Sequence, residues 1–159
     1  MKRVTLDASV ISKWFLQTAS NEPDLLRAKD LLDEISSNRL MLAQPPHWLA
    51  EVLNVVVRRR PEQLTKAVAM LGMLNAEVRF GDIVHLRAAE IARETGAHMF
   101  DTLYHAVALE EPDGMLITAD LRYYEAARPF GCIARLDEFH FGVAEPSMAY
   151  IAIARRAMA

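Results

Sequence analysis

Four acidic residues stand beside short apolar segments of this chain, where their carboxylates have the chemistry to bind a hard cation. Asp7 and Asp120 each follow an apolar, strand-like segment, and Glu51 and Asp101 belong to apolar, helix-like segments. Ligands of an open parallel sheet bind outside the carboxyl ends of its strands, where the two aspartates that follow strands would lie. Cations such as Mg²⁺ take carboxylate and water oxygens as ligands. The pattern therefore predicts a metal site assembled from several elements.

Each of these acids also has a simpler structural interpretation. Asp7 and Asp120 have the side chain that caps the first turn of a helix, and Asp101 would be stabilised by the dipole of the helix it opens. Glu51 is more informative, because residues 46–57 contain no other acidic residue, lysine or arginine. A helix that is apolar all round is mostly buried, and a buried glutamate needs a partner or a metal. The alternative is that this glutamate lies on the one exposed stripe of its helix.

Three uncharged polar residues are spaced to support the acids. Ser9 follows the first acid by two residues, and Thr118 precedes the last by two, on the same face of the strand. Asn54 lies three residues after the glutamate, on the same face of the helix. A hydrogen bond from Asn54 would orient the carboxylate or a bound water, and one from Thr118 would reach the site.

The histidines offer no competing metal site, because the five in this chain are scattered without a ligand spacing. Each is interpreted as a surface or packing residue. His105, one helical turn beyond Asp101, is the exception to be tested.

Strand-like and helix-like segments alternate along the chain, which predicts a parallel sheet covered on both faces. We expect a three-layer α/β/α fold with a doubly wound, mainly parallel sheet of about five strands over residues 1–137, and a helical C-terminal extension over residues 138–159. Within residues 82–95, the residues Ile83, Leu86, Ala89 (or Glu90) and Ile91 stand at helical spacing, as in an amphipathic covering helix. The predicted strands are residues 2–6, 40–43, 78–80, 115–118 and 132–136, and the predicted helices are residues 8–15, 23–36, 46–59, 62–76, 82–95, 100–109 and 121–127.

Composition excludes several classes of protein. A chain of 159 residues fits one domain, and no apolar run reaches the roughly 18 residues that span a membrane. The N-terminus shows no apolar stretch of signal-peptide length. The single cysteine, Cys132, lies in an apolar segment and is expected to be a buried structural thiol. These features predict a protein of the reducing cytoplasm, with no membrane partner.

The net charge of −3 leaves a polyanionic substrate open, because committing four acids to metal would make the remaining surface nearly neutral. Arg58 and Arg59 end the helix of the glutamate, and Arg122 follows the last aspartate. These arginines are candidates for contacts with phosphates. The alternative is that the pair at the helix end only complements the helix dipole.

Taken together, four motifs resemble the PIN-domain family and, within it, the VapC-type toxin ribonucleases of bacterial toxin–antitoxin pairs. The resemblance covers about residues 1–137, and residues 138–159 do not match it. The motifs are Asp7-x-Ser9, Glu51-x-x-Asn54, Phe100-Asp101-x-Leu-Tyr-x-Ala-x-Ala and Thr118-x-Asp120.

The resemblance implies a set of site residues, an activity and several partners. Asp7, Glu51, Asp101 and Asp120 would be the catalytic, metal-binding carboxylates, and the three uncharged residues of the motifs would support them. The implied activity is cleavage of RNA phosphodiester bonds with one or two Mg²⁺ or Mn²⁺ ions. The implied partners are the RNA substrate, a cognate antitoxin and a second copy in a homodimer.

Two other functions compete with this interpretation. A haloacid-dehalogenase-like phosphatase also begins with an apolar strand and an aspartate, but it needs a second aspartate where this chain has Ser9, and it leaves Glu51 unexplained. The second alternative is a non-catalytic module of the same fold that binds RNA or a protein partner. A cluster of like charges without a cation is costly, which argues against the non-catalytic module.

Overall fold

The computed structural model describes residues 1–16 and 24–140. The strands are β1 (Lys2–Leu6), β2 (Leu40–Gln44), β3 (Ala76–Val78), β4 (Gly114–Thr118) and β5 (Ile133–Arg135). The helices are α1 (Ala8–Ile11), α2 (Asp24–Ser36), α3 (Trp48–Arg59), α4 (Leu64–Met73), α5 (Asp82–Thr95), α6 (Met99–Glu110) and α7 (Leu121–Ala127). Short 3₁₀ turns follow α1, precede α4 and follow α7.

All five strands are parallel, in the order β3-β2-β1-β4-β5. The chain builds outward from β1 on one side and then returns to place β4 on the other side, so the winding direction switches between β1 and β4. Helices cover both faces of the sheet in a three-layer α/β/α arrangement. The predicted fold class is confirmed, and the crevice expected to hold a ligand lies at the carboxyl ends of the two central strands.

Most element boundaries agree with prediction within a few residues, and α5 and α7 agree at both ends. The third strand was placed too late, since β3 ends at Val78. The fifth strand was placed too long, because Gly131 and Cys132 have φ angles of 79° and 51° and so form a left-handed turn into β5. Cys132 is half-buried, and the prediction of a buried thiol is wrong to that extent.

The predicted buried face of α5 was also wrong. Ile83 and Leu86 are 67% and 71% exposed, whereas Val84, Ala88 and Ile91 are buried. The buried residues follow each other at helical spacings of four and three, and the small alanine side chain suits close packing against the neighbouring helix α6. A pattern with two apolar faces cannot decide which face is covered.

The helix that carries the glutamate is not buried all round. Trp48, Val52 and Val56 of α3 are buried, while Asn54 is exposed. Glu51 lies at the border between the two faces and is half-buried. Its position is therefore between the two alternatives that the sequence allowed.

Part of the predicted organisation lies outside the described residues. That part includes the predicted start of a helix at residue 23, and residues 141–159 of the predicted extension, 138–159. Within the described ranges, Phe139 accepts a hydrogen bond of 3.1 Å from Arg27 of α2 through its carbonyl oxygen. No helix in the described ranges is long and apolar enough to cross a membrane.

Candidate active site

Two of the four acids lie at the switch point of the sheet and cap the helices that follow them. Asp7 is the N-cap of α1 and accepts a hydrogen bond of 3.2 Å from the backbone N–H of Ser9. Asp120 caps α7 in the same way, through a 3.0 Å bond from the N–H of Tyr123 to Oδ1. Capping uses one oxygen of each carboxylate, so the structural role leaves lone pairs available for a ligand.

Hydroxyl groups tie the ends of β1 and β4 together through Asp7. Oδ2 of Asp7 accepts from the hydroxyl of Thr118 at 2.6 Å and from the hydroxyl of Ser9 at 2.9 Å. The same two hydroxyls accept from the backbone N–H groups of Asp120 (3.0 Å) and Ala119 (3.1 Å). Hydrogen bonds to a charged acceptor are strong, and these fix the rotamer of the first acid. Ser9 and Thr118 are thus placed as supporting residues.

A buried glutamine that sequence reasoning missed anchors the strand before Asp7. Gln44 Oε1 accepts from the N–H of Leu6 at 3.1 Å, and its Nε2 donates to the carbonyl of Leu6 at 2.9 Å. The side chain is fully buried and takes the place of a backbone partner where β1 and β2 separate. The available signal was a polar residue at the end of an apolar strand, immediately before two prolines.

Two aromatic side chains lie against the carboxylate of Glu51, and one of them is hydrogen-bonded to it. The hydroxyl of Tyr104 donates to Oε2 at 2.8 Å, and Nε2 of His47 lies 3.5 Å from the same oxygen. Burial raises the pKa of the Glu51 carboxyl, and the negative charge of Asp7 raises it further, against the lowering effect of the tyrosine hydrogen bond. The carboxylate is therefore oriented and electrostatically strained at once.

All four acids line one cavity of about 410 Å³ at the carboxyl edge of the sheet. Burial raises the pKa of Asp101, and the negative charges of the other three acids add to the shift. Each of these acids comes from a different part of the chain, and only the fold brings them together. The lining residues are Asp7, Ala8, Ser9, Ser12, Lys13, Leu16, Glu51, Val55, Arg59, Asp101, Ala119 and Asp120.

The cationic candidates separate into two groups. Arg59, at the end of α3, lines the cavity, together with Lys13, which sequence reasoning did not consider. Arg58 and Arg122 are exposed and do not line the cavity, and neither does Asn54. Only one of the three predicted arginines is thus placed to reach a phosphate in the cavity.

His105 is a packing residue. Its side chain is fully buried, with Nε2 2.6 Å from the carbonyl oxygen of Gly131 and Nδ1 3.2 Å from the hydroxyl of Tyr123. It does not line the cavity.

The donor set suits a hard cation in chemistry. Every acidic group of the cavity offers oxygen, the donor type of Mg²⁺ and Mn²⁺ sites. The carboxylates line the cavity without forming a tight cluster: among the described residues, no three His, Cys, Asp or Glu side chains stand close enough to hold a metal ion. The distance between the four carboxylates lowers their mutual repulsion. A bound cation would offset that repulsion and so allow the carboxylates to stand closer together.

Comparison with known protein families identifies the fold independently of the site. The family model of the PIN domain matches residues 4–129, most of the chain. The chain belongs to the PIN domain family. PIN domains are generally nuclease-like, often ribonucleases, and typically use divalent metal ions. A comparison with curated proteins gives no significant match.

Proposed function

We propose that this PIN domain is a metal-dependent endoribonuclease that cleaves RNA phosphodiester bonds. The observation that carries the proposal is the convergence of Asp7, Glu51, Asp101 and Asp120 on one cavity at the switch point of the sheet. The raised pKa values of Glu51 and Asp101 have their main cause in burial and a further cause in the charges of the other acids. Such perturbed groups in a cleft are typical of functional sites.

The four carboxylates would hold one or two Mg²⁺ or Mn²⁺ ions. When bound, the metal supplies charge neutralisation at the phosphate and a more acidic attacking water. The residues of the chain supply position: Thr118 and Ser9 hold Asp7, and Tyr104 holds Glu51. Binding the cation requires both raised-pKa carboxyls to be ionised, so acid should weaken metal binding.

The cavity also provides cations for the substrate. Arg59 and Lys13 lie on its lining, where their positive charges would attract the phosphates that flank the scissile bond. A polyanion can therefore approach an acidic site without facing only negative charge. This arrangement also supports RNA over a neutral substrate.

The proposed biological role is that of the toxin of a toxin–antitoxin pair in the cytoplasm, acting as a homodimer and inhibited by a cognate antitoxin. Its support is the resemblance of the four motifs to the VapC-type ribonucleases. The genomic test is the neighbouring reading frame, which should encode a small protein. Co-expression of that protein should relieve the growth arrest that this chain causes alone.

Metal-dependent cleavage tests the enzymatic proposal directly. The wild-type protein should cut RNA with Mg²⁺ or Mn²⁺ and not in EDTA, and Asp7→Asn and Asp101→Asn should abolish cleavage while keeping the fold. Asp30→Asn, an exposed acid on α2, is the matched control and should keep full activity. Because Asp101→Asn removes a half-buried charge that the other acids repel, that variant should melt at or above the wild-type temperature in EDTA. Asp7→Asn also weakens the hydrogen bonds from Ser9 and Thr118, and it should melt at or below the wild-type temperature.

The non-catalytic module of the same fold predicts a different result. Divalent metal should then leave the melting temperature unchanged, because only a ligand that binds the folded state shifts it. Cleavage that persists in purified Asp7→Asn or Asp101→Asn protein would contradict the assignment of these acids.

A further inference from the structure

An exposed aromatic ring, which does not itself line the acidic cavity, stands next to two of the acids. Phe100 directly precedes Asp101, and its side chain is 52% exposed in the first turn of α6. One neighbour of the ring is His47, whose imidazole is stacked with it at a centroid distance of 4.8 Å and an interplanar angle of 24°. A single exposed apolar side chain is ordinary on a protein surface. This ring differs because it is stacked on His47, whose Nε2 is 3.5 Å from Oε2 of Glu51, and it is therefore a candidate contact for a ligand of the site.

Hydrogen bonds hold this pair of rings in place. Nε2 of His47 lies 3.0 Å from the carbonyl oxygen of Phe100, and Nδ1 of His98 accepts from the backbone N–H of Phe100 at 3.2 Å. The ring of His98 also meets the phenyl ring edge-on, at 5.0 Å. The backbone that carries the phenyl ring is therefore fixed on both sides, which lowers the entropy that a ligand must remove on binding.

We propose that the Phe100 platform, formed by the rings of Phe100 and His47, stacks against a nucleobase of single-stranded RNA beside the scissile phosphate. The inference rests on the proposed ribonuclease function and names its substrate class. Aromatic side chains bind successive bases of single strands by stacking, with little dependence on sequence. Bases in a duplex are stacked on each other and cannot reach such a ring, so the platform selects unpaired RNA.

The surroundings favour a nucleobase over a protein partner. Two of the side chains that pack against Phe100 are the imidazole rings of His47 and His98, which are polar as well as aromatic. The exposed aliphatic residues Ile83 and Leu86 lie on a different helix, α5, and do not line the cavity. An RNA strand whose phosphate enters the cavity carries bases on either side of that phosphate, and Phe100 directly precedes one of the acids of the cavity, Asp101.

Three substitutions test the platform. Phe100→Leu keeps an apolar side chain but removes the ring, whereas Phe100→Trp keeps a ring. Phe80→Leu is the matched control, because Phe80 is 72% exposed and follows the edge strand β3, two strands away from β1 and Asp7. For a single-stranded oligoribonucleotide, Phe100→Leu should raise KM about 5- to 100-fold with a smaller change in kcat, and the other two variants should stay near wild type.

Substrates with one abasic ribose locate the base that the platform contacts. At one position beside the scissile phosphate, removal of the base should raise KM for the wild-type protein and have little further effect on Phe100→Leu. This non-additivity is the signature of a direct contact. Equal losses in both proteins at every position would overturn the platform, and this comparison needs no assumption about the stability of the variant.

The outcomes separate this inference from the function on which it rests. If the wild-type protein neither cleaves RNA nor binds it in Ca²⁺, both proposals fail. If it does either and Phe100→Leu matches it in KM and in Kd for single-stranded RNA, the nucleobase platform alone is wrong. A change of oligomeric state in Phe100→Leu by light scattering, with unchanged KM, would show that the ring is a protein contact instead.

Discussion

The hydroxyl of Tyr104 donates a hydrogen bond of 2.8 Å to Oε2 of Glu51, and so connects the helix of one candidate catalytic acid to the helix of another. Tyr104 is fully buried, and burial together with the negative charge of Glu51 raises the pKa of its hydroxyl. The phenol therefore stays protonated and acts only as a donor. It lies three residues after Asp101 on α6, so one helix turn carries both a carboxylate of the cavity and the group that orients its neighbour.

Tyr104→Phe should weaken metal binding without removing a carboxylate. The tyrosine hydrogen bond lowers the pKa of Glu51, so its loss should raise that pKa further. The acid limb of the pH–rate profile should then move to higher pH, and metal affinity at pH 7 should fall. Tyr124→Phe, on a half-buried tyrosine outside the cavity, should leave the profile unchanged. An unchanged acid limb in Tyr104→Phe would mean that the hydrogen bond has no influence on the site.

Glu51→Gln should abolish cleavage and change the pH dependence of stability in EDTA. The pKa of Glu51 is raised on folding, so above about pH 4.5 the folded state binds more protons than the unfolded state. The unfolding free energy of the wild-type protein therefore falls as pH rises through the folded pKa. The glutamine variant lacks this loss. The difference in unfolding free energy, measured by urea denaturation, should therefore be small at pH 4 and favour the variant at pH 7.

A control of opposite sign is available on the surface. Glu62 is exposed and hydrogen-bonded to Arg60, which lowers the pKa of its carboxyl. This pairing contributes stability above the unfolded pKa that is lost as pH falls through the folded pKa. Glu62→Gln should thus lose stability relative to wild type as pH rises, and salt should shrink the effect. If the unfolding free energies of Glu51→Gln and Glu62→Gln changed with pH in the same direction relative to wild type, the raised pKa of Glu51 would be contradicted.

Two adjacent arginines should differ in their contribution to RNA binding. Arg59 lines the cavity, whereas Arg58 is exposed outside it. Arg59→Gln should weaken RNA binding across sequences and reduce the slope of log K against log salt by about one, as expected for the loss of one phosphate contact. Arg58→Gln should leave the slope unchanged. Equal effects in the two variants would indicate a diffuse charge effect and not a contact within the cavity.

His105 should make the protein sensitive to acid. Burial lowers its pKa to about 4, against roughly 6.5 in the unfolded chain. Between these values the unfolded state binds more protons, so stability falls as pH drops from about 6.5 to 4, by of the order of 3 kcal/mol.

His105→Gln should lose this acid slope and be less stable at pH 7, where the bonds to Gly131 and Tyr123 are weakened or lost. Urea denaturation at pH 4.5 and 7 measures both effects. The exposed His85 provides the control, since His85→Gln should keep the slope. Retention of the full slope in His105→Gln would assign the acid sensitivity to other groups.

The strands that precede the two aspartates, and the four acids themselves, were open to prediction because they depend on local signals. Strand-like segments that lead into an aspartate predicted both β1, which is followed directly by Asp7, and β4, which one alanine separates from Asp120. The covered face of α5 was not open to prediction, because Ile83 and Leu86 are as apolar as Val84 and Ile91. The packing of α6 and of Ala43 in β2 against α5 decides which of the two faces is buried, and this packing exists only in the folded chain.

The supporting residues were harder to predict than the acids. Gln44 has no chemistry of its own and gains its role from a gap between β1 and β2 that exists only in the folded sheet. Asn54 satisfied the helical spacing from Glu51 but lies on the exposed face of α3. Spacing fixes which residues share a helix face, and tertiary packing fixes what that face meets.

The pair of hydrogen bonds between the Gln44 side-chain amide and the backbone of Leu6 has a consequence for hydrogen exchange. The N–H of Leu6 is buried at the centre of the sheet and bonded to a side chain, one residue before Asp7. Its exchange with solvent requires Gln44 to leave, so the exchange rate of this one amide reports the opening of the sheet edge that carries the acids. A cation held by those acids would slow that exchange, and the Leu6 amide is thus a built-in NMR probe of site occupancy.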